Sequence, residues 1–158
     1  MSSSVYLLSS LFVSMAIVTT LTESATFQAH YVPAEKVLRG AWTAPALDAD
    51  IRGHYSELVA QAQEYNGCRY WLLDLRQRNW HMPSFGQWFS TEFAPTAHAV
   101  LGQPLFVAYL LSPRHQAIAE SARIQACQRG CTQHDVYTYY FADEDAALDW
   151  LRHQQALH

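Results

Sequence analysis

Three cysteines in 158 residues, Cys68, Cys127 and Cys131, are too few and too unevenly spaced for a disulfide framework. A chain of this length needs no such staple, because it buries about 68 to 70% of the surface that its extended form exposes. Cys127 and Cys131 fall one helical turn apart, a spacing that suits a thiol pair or part of a metal site. Only His134 stands near them and no second ligand pair completes a set, so two reduced thiols are the plainer expectation. Basic residues are scarce as well. Ten Lys and Arg against fourteen Asp and Glu leave a net charge of −4, which gives no electrostatic footprint for a phosphate backbone and excludes nucleic acid as the expected partner.

Glycine is sparse, and Gly40, Gly53, Gly67 and Gly86 form neither a phosphate loop nor a dinucleotide fingerprint. Ser84 has Met82, Pro83, Phe85 and Gly86 around it, which is not a nucleophile elbow. No histidines are spaced as H-x-x-x-H, and His30, His54, His98 and His153 fall on separate elements. No metal and no cofactor are expected on these grounds. Repeats, low-complexity tracts and interdomain linkers are also missing, so one domain is expected.

The N-terminus permits several readings. Residues 5–21, "VYLLSSLFVSMAIVTTL", imitate a signal-peptide core, and "ESA" ending at Ala25 imitates a cleavage site. The positive n-region is lacking, Ser9, Ser10 and Ser14 interrupt the run, and its Val, Ile and Thr content suits a strand equally well. Met15 is an alternative start. Residues 1–25 are therefore an apolar segment that is an extra strand, a signal or an upstream extension, and residues 26–158 are the domain. The expected location is cytoplasmic without firm membrane association, with export as the alternative.

What is present is alternation of two periods. "TFQAHYV" alternates apolar and polar residues as a half-buried strand does, and "KVLRGAWT" returns after the "PAE" turn as its antiparallel partner. Asp48 or Asp50 is expected to cap a helix carrying Ile51, Tyr55, Leu58, Ala62 and Tyr65, stopped by Asn66-Gly67. "YWLL" is a continuous apolar run, as in a strand covered on both faces, and "PLFVAYLL" is a second. Between them Phe85, Trp88, Phe89 and Phe93 share helical spacing up to Pro95, which should kink or end the helix. Ser112-Pro113 opens another helix, "VYTYYFA" reads as a strand, and Asp143 caps a last helix. The order β-β-α-β-α-β-α-β-α implies an α/β fold around one mixed sheet, with an antiparallel opening hairpin and then alternating strands and helices.

This order, together with "YWLLDLR", "FGQWFSTEFAP", "FVAYLLSP" and "YYFADEDAALDWL", resembles the SpoIIAA-like group of the STAS superfamily. These are small bacterial α/β domains related in fold to anti-sigma factor antagonists and grouped with the CRAL-TRIO lipid-binding fold. The resemblance runs over about residues 26–152, and "FADEDAALDWL" is its most characteristic stretch. It implies a STAS-like fold and a regulatory, protein-binding role. A phosphorylatable serine in such domains starts the helix after the central strand, and Ser84 is the position that corresponds. The sequence departs from the family pattern there, with Pro83 in place of an acidic neighbour and Phe85 following.

The residues themselves mark the end of "YWLLDL" as a candidate site. Asp74 stands at the carboxyl end of the central strand, where open α/β sheets form ligand crevices. If the chain stays extended, Arg76 and Arg78 point the same way and together grip a carboxylate or phosphate. His81 adds a group that titrates near neutrality. The structural alternative has Asp74 accepting from loop backbone or pairing with an arginine, while the others are solvated. Trp80 and Trp88 are the candidate aromatic anchors, although core packing is the usual fate of such a cluster. The preferred expectation is a non-enzymatic regulatory or interaction module that docks another protein through Asp74, Arg76, Arg78, Trp80, His81, Ser84 and Trp88. The alternative is a small apolar ligand or lipid in a pocket lined by Trp88, Phe89 and Phe93. A third reading is a small hydrolase or transferase using Asp74 and His81 within hydrogen-bond reach.

Overall fold

In the second strand of one mixed sheet, Phe27 and Ala29 turn to the core while Gln28 and His30 turn to the other face. The computed structural model describes residues 22–23, 26–78, 87–102, 104–115, 117, 132–133 and 135–158. Its strands are β1 (Thr22–Glu23), β2 (Phe27–Val32), β3 (Val37–Trp42), β4 (Tyr70–Asp74), β5 (Leu105–Leu110), β6 (Thr132–Gln133) and β7 (Val136–Phe141). They form one sheet in the order β1-β2-β3-β4-β5-β7-β6. The β1–β2, β2–β3 and β6–β7 pairs are antiparallel, and β3–β4, β4–β5 and β5–β7 are parallel. The α/β class and the mixed sheet with its opening hairpin are as expected. The short β1 shows that the end of the apolar N-terminal segment joins the sheet.

The helices are α1 (Asp48–Glu64), α2 (Ala94–Leu101) and α3 (Glu144–Leu157). The parallel strands step across the sheet in one direction, and right-handed crossovers then place the connecting helices on one face. There Ile51, Tyr55, Leu58 and Ala62 of α1 and Ala94, Ala97 and Leu101 of α2 pack over Phe27, Leu38, Trp42, Trp71, Leu73 and Val107. The opposite face carries α3, whose Ala147, Leu148 and Leu151 cover Leu72, Phe106, Ala108 and Leu110. Roofing on both sides explains the uninterrupted apolar runs of β4 and β5, and every residue of β5 is buried.

One local expectation is corrected and another takes a particular form. The N-cap of α1 is Leu47, with no side-chain bond, and Asp48 and Asp50 lie in the first turn, where they favour the helix dipole. Pro95 stands in the first turn of α2, and the helical run changes pitch just before it, where a kink or an end was expected. The five residues Phe89–Phe93 form a π-helical stretch, in which the Ala94 N–H reaches back to the Phe89 carbonyl. The wider turn carries the chain past the proline, which lacks an N–H and would collide with the carbonyl of a regular preceding turn.

The other punctuation behaves as its chemistry dictates. Asn66 and Gly67 adopt φ of 58° and 65° after α1. Gly102, at φ 63°, donates its N–H to the His98 carbonyl. Ser112 Oγ accepts from the His115 N–H at 3.3 Å, and Asp143 Oδ2 from the Ala146 N–H at 3.1 Å. Among the described residues no helix is long and apolar enough to cross a membrane. Residues 1–21 with Met15, and Trp80, His81, Ser84, Phe85, Cys127 and Cys131, lie outside the described residues, so the readings placed on them are carried no further.

Candidate functional site

Asp74 closes β4 by folding the chain around its own carboxylate. Its Oδ1 accepts from the backbone N–H and the Nε of Arg76, both at 3.0 Å, and its Oδ2 accepts from Arg76 Nη2 at 2.7 Å. The Leu75 N–H still bonds the Leu110 carbonyl at 2.9 Å, and the Arg78 N–H then returns to the Leu75 carbonyl at 3.1 Å. The chain therefore turns, so the extended course that would set the two arginines side by side is not taken, and Arg76 and Arg78 do not point the same way. Arg76 is exposed beside Asp74, within electrostatic reach of Glu144 on α3. Arg78 is only 4% exposed, with its guanidinium over the Trp42 ring at 4.7 Å on the α1 side of the sheet. A joint arginine grip on one anion is thus overturned. The alternative in which Asp74 accepts from loop backbone or pairs with an arginine is realised for Asp74 in both forms, but its expectation that the other residues are solvated fails at the buried Arg78.

On the α1 side the turn closes over a buried polar group. The Trp42 indole N–H donates to His54 Nδ1 at 3.0 Å, and the imidazole stacks on Phe27 at a centroid distance of 4.4 Å. The hydroxyls of Tyr55 and Tyr109 meet at 2.8 Å. Burial raises both phenols above their ordinary value, Tyr109 strongly, while the neighbouring Arg78 charge acts in the opposite direction. His54 is lowered, chiefly by burial; Glu57 and Asp50 oppose this and Arg78 adds to it. Trp88 is half-buried against this group, 5.9 Å from the Tyr55 ring and 5.7 Å from Phe93, with Arg52 over its face at 5.6 Å. Phe89 and Phe93 likewise meet Tyr55 edge-on. These aromatics serve the core, as helical spacing suggested.

The α3 side is different. The helix leaves the β2–β3 end of the sheet face partly open, and a cleft of about 120 Å³ lies there, lined by Gln28, His30, Arg39, Asp74, Leu110 and Glu144 among others. Arg39 spans two elements: its Nε and Nη2 donate to Glu35 at 3.0 and 2.8 Å, and its Nη1 donates to Glu144 at 3.1 Å. With the Asp74–Arg76 pair, charges of alternating sign run along the rim as Glu35, Arg39, Glu144, Arg76 and Asp74. His30 is lowered by its partial burial and by Arg39, with Glu35 opposing. His30, Arg39 and Glu144 escaped the sequence reading, yet the signal was there. In a strand of period two, Gln28 and His30, Arg39, and Asp74 share the face that Leu72 occupies.

Asp74 is thus occupied by Arg76, and among the described residues no group of three His, Cys, Asp or Glu is placed to hold a metal ion. Compared with family models, with curated proteins and with solved structures, the chain matches none.

Proposed function

We propose that this protein is a regulatory or protein-interaction module, without chemistry of its own, that docks a partner protein on the open part of the sheet beside α3. The contact residues are His30, Arg39, Asp74, Arg76 and Glu144. The observation that carries this reading is the cleft itself. At about 120 Å³ it falls well below the space of about 300 to 1,000 Å³ in which small-molecule ligands are usually enclosed, and its rim is charged rather than apolar. Fixed charges of alternating sign at a half-exposed surface give register and selectivity to a protein contact more than raw affinity. The resemblance to STAS-like regulatory domains points the same way.

The test compares three proteins as bait in extracts of the native host: the parent chain, an Arg39→Glu, Arg76→Glu variant, and Glu64→Lys as a charge change on the far side of the molecule. A partner recovered by the parent and by Glu64→Lys should be reduced about tenfold or more by the double variant, corresponding to about 1.4 kcal/mol. Equal recovery by all three proteins would remove this face from the interaction.

A further inference from the structure

Trp42 is held from two sides, by an imidazole and by a guanidinium. Its indole N–H is fixed by His54 Nδ1 at 3.0 Å, and its ring face carries the Arg78 guanidinium at 4.7 Å. An imidazole that accepts at Nδ1 has its proton on Nε2, so the neutral ring satisfies the indole. A second proton must go to Nδ1, and the ring then has no lone pair left for Trp42. Protonation breaks that hydrogen bond and also sets a new cation beside the same indole that Arg78 covers. His54 is 7% exposed and stacked on Phe27, so water does little to soften either effect.

Arg78 is also the residue whose N–H closes the turn onto Leu75, and that turn presents Arg76 to Asp74. We propose that His54, Trp42 and Arg78 form a proton-sensitive latch, which holds the turn of residues 75–78 in place while the imidazole is neutral and loosens it once the imidazole is charged. The latch regulates the docking face by displacing Arg76 and Asp74, and this step rests on the docking function proposed above. The charged and titratable groups around the imidazole are Asp50 and Glu57 on α1, which favour the proton, and Arg78 from the turn, which opposes it. Burial is the largest influence and also opposes it, so the fold favours the neutral form. The sign follows. The stabilisation is complete above the unfolded histidine value of about 6.5, falls as the pH drops below it, and levels off once the folded imidazole is also protonated.

The experiment follows the indole ¹H–¹⁵N resonance of Trp42, identified with Trp42→Phe, and the amides of Leu75 and Arg78 from about pH 7.5 to about pH 4.5. The comparison protein is His54→Asn, whose Oδ1 accepts the indole proton in place of Nδ1 and does not titrate; His54→Gln replaces it if circular dichroism shows the first variant unfolded. In the parent, the indole and both amides should move together with the His54 ring signals, and in the variant that common transition should vanish. Amides that ignore His54 in the parent, or that titrate equally in the variant, would overturn the latch. Partner recovery is measured separately at both ends of the range, with a drop of about fivefold or more expected for the parent and none for the variant. Failure to recover any partner at the upper pH refutes the docking function alone, because the resonances report the latch without it. A partner recovered equally at both ends, with the resonances moving as expected, refutes the regulatory step.

Discussion

The hydroxyls of Tyr55 and Tyr109 lie 2.8 Å apart although their residues are 54 positions apart in the chain, one on α1 and one on β5. Their contact joins a helix to the middle of the sheet at a point that water does not reach. A buried hydroxyl deprived of its partner costs about 1 to 3 kcal/mol, whereas removing both partners together leaves nothing unsatisfied. The two ends are not equivalent, because Tyr55 also bonds the Arg78 side chain.

Tyr55→Phe should therefore cost more than Tyr109→Phe. About 1 kcal/mol is expected for Tyr109→Phe and about 2 kcal/mol for Tyr55→Phe, which strips a bond from Arg78 as well. The double variant should fall short of the sum by about 0.5 kcal/mol or more, as contacting residues do. Urea denaturation of the four proteins measures all three quantities.

The same pair sets an alkaline limit. Both phenols are raised in the folded protein by burial, so the fold favours the protonated form. The unfolded chain releases these protons from about pH 10, and stability should be intact below that value and lost above it. In a spectrophotometric titration, two tyrosines should ionise only as the circular dichroism signal collapses. The Tyr55→Phe, Tyr109→Phe variant should lose that late component.

Gly40 occupies a strand position where a side chain has no room. A Cβ there would stand 2.9 Å from Leu73 Cδ2 and 3.2 Å from the Phe27 ring, and both residues are wholly buried. Leu73 cannot swing aside without displacing core neighbours, so Gly40→Ala should cost about 1 to 3 kcal/mol despite alanine being the better residue in an exposed strand. Thermal unfolding measures the loss, and a Leu73→Ala background should recover part of it.

The elements were legible because each rests on local chemistry. Period two gave β2 and β3, continuous apolar runs gave β4 and β5, and Asn66-Gly67 and Asp143 marked their helix ends without help from distant residues. Pro95 marked where the helix changes but not how, because nothing in the composition of Phe89–Phe93 announces a π turn. The site was harder. Placing Arg76 and Arg78 side by side assumed an extended chain, and the assumption failed because the Asp74 carboxylate captures the Arg76 N–H and bends the backbone. A short polar side chain taking the N–H two residues on is a recognised turn signal, so this step was within reach of sequence reasoning. The partnership of His54 with Trp42 was not, since the two residues fall on separate elements and nothing local pairs them until α1 is laid on β3.

That bend also sets how the Asp74–Arg76 pair responds to mutation. The two side chains are 26% and 48% exposed, so the ion pair as such is worth about 0 to 1 kcal/mol. Arg76→Ala should fall within that range. Asp74→Ala should cost about 1 kcal/mol more, because it also removes the acceptor of the turn N–H. Raising the salt concentration should shrink the effect of Arg76→Ala and leave the extra cost of Asp74→Ala nearly unchanged. Denaturation midpoints at low and high salt separate the two contributions.

Two kinds of contact hold α3 beside the cleft. One is polar: Arg39 reaches Glu144, and the Gln155 amide donates to the Glu35 carbonyl at 3.0 Å. The other is apolar: Leu151 is fully buried against the sheet face that carries Leu72 and Leu110. Glu144 is 46% exposed at its side chain, so solvent screens its bond to Arg39 and Glu144→Ala should cost at most about 1 kcal/mol. Leu151→Ala opens a cavity under the one helix described on this face and should cost about 2 to 5 kcal/mol. Apolar burial, not the ion pair, thus holds the helix, and the Arg39–Glu144 bond is left to shape the surface. If Glu144→Ala proved as damaging as Leu151→Ala in urea denaturation, the rim charges would belong to the stability of the fold and would no longer be spare for a partner.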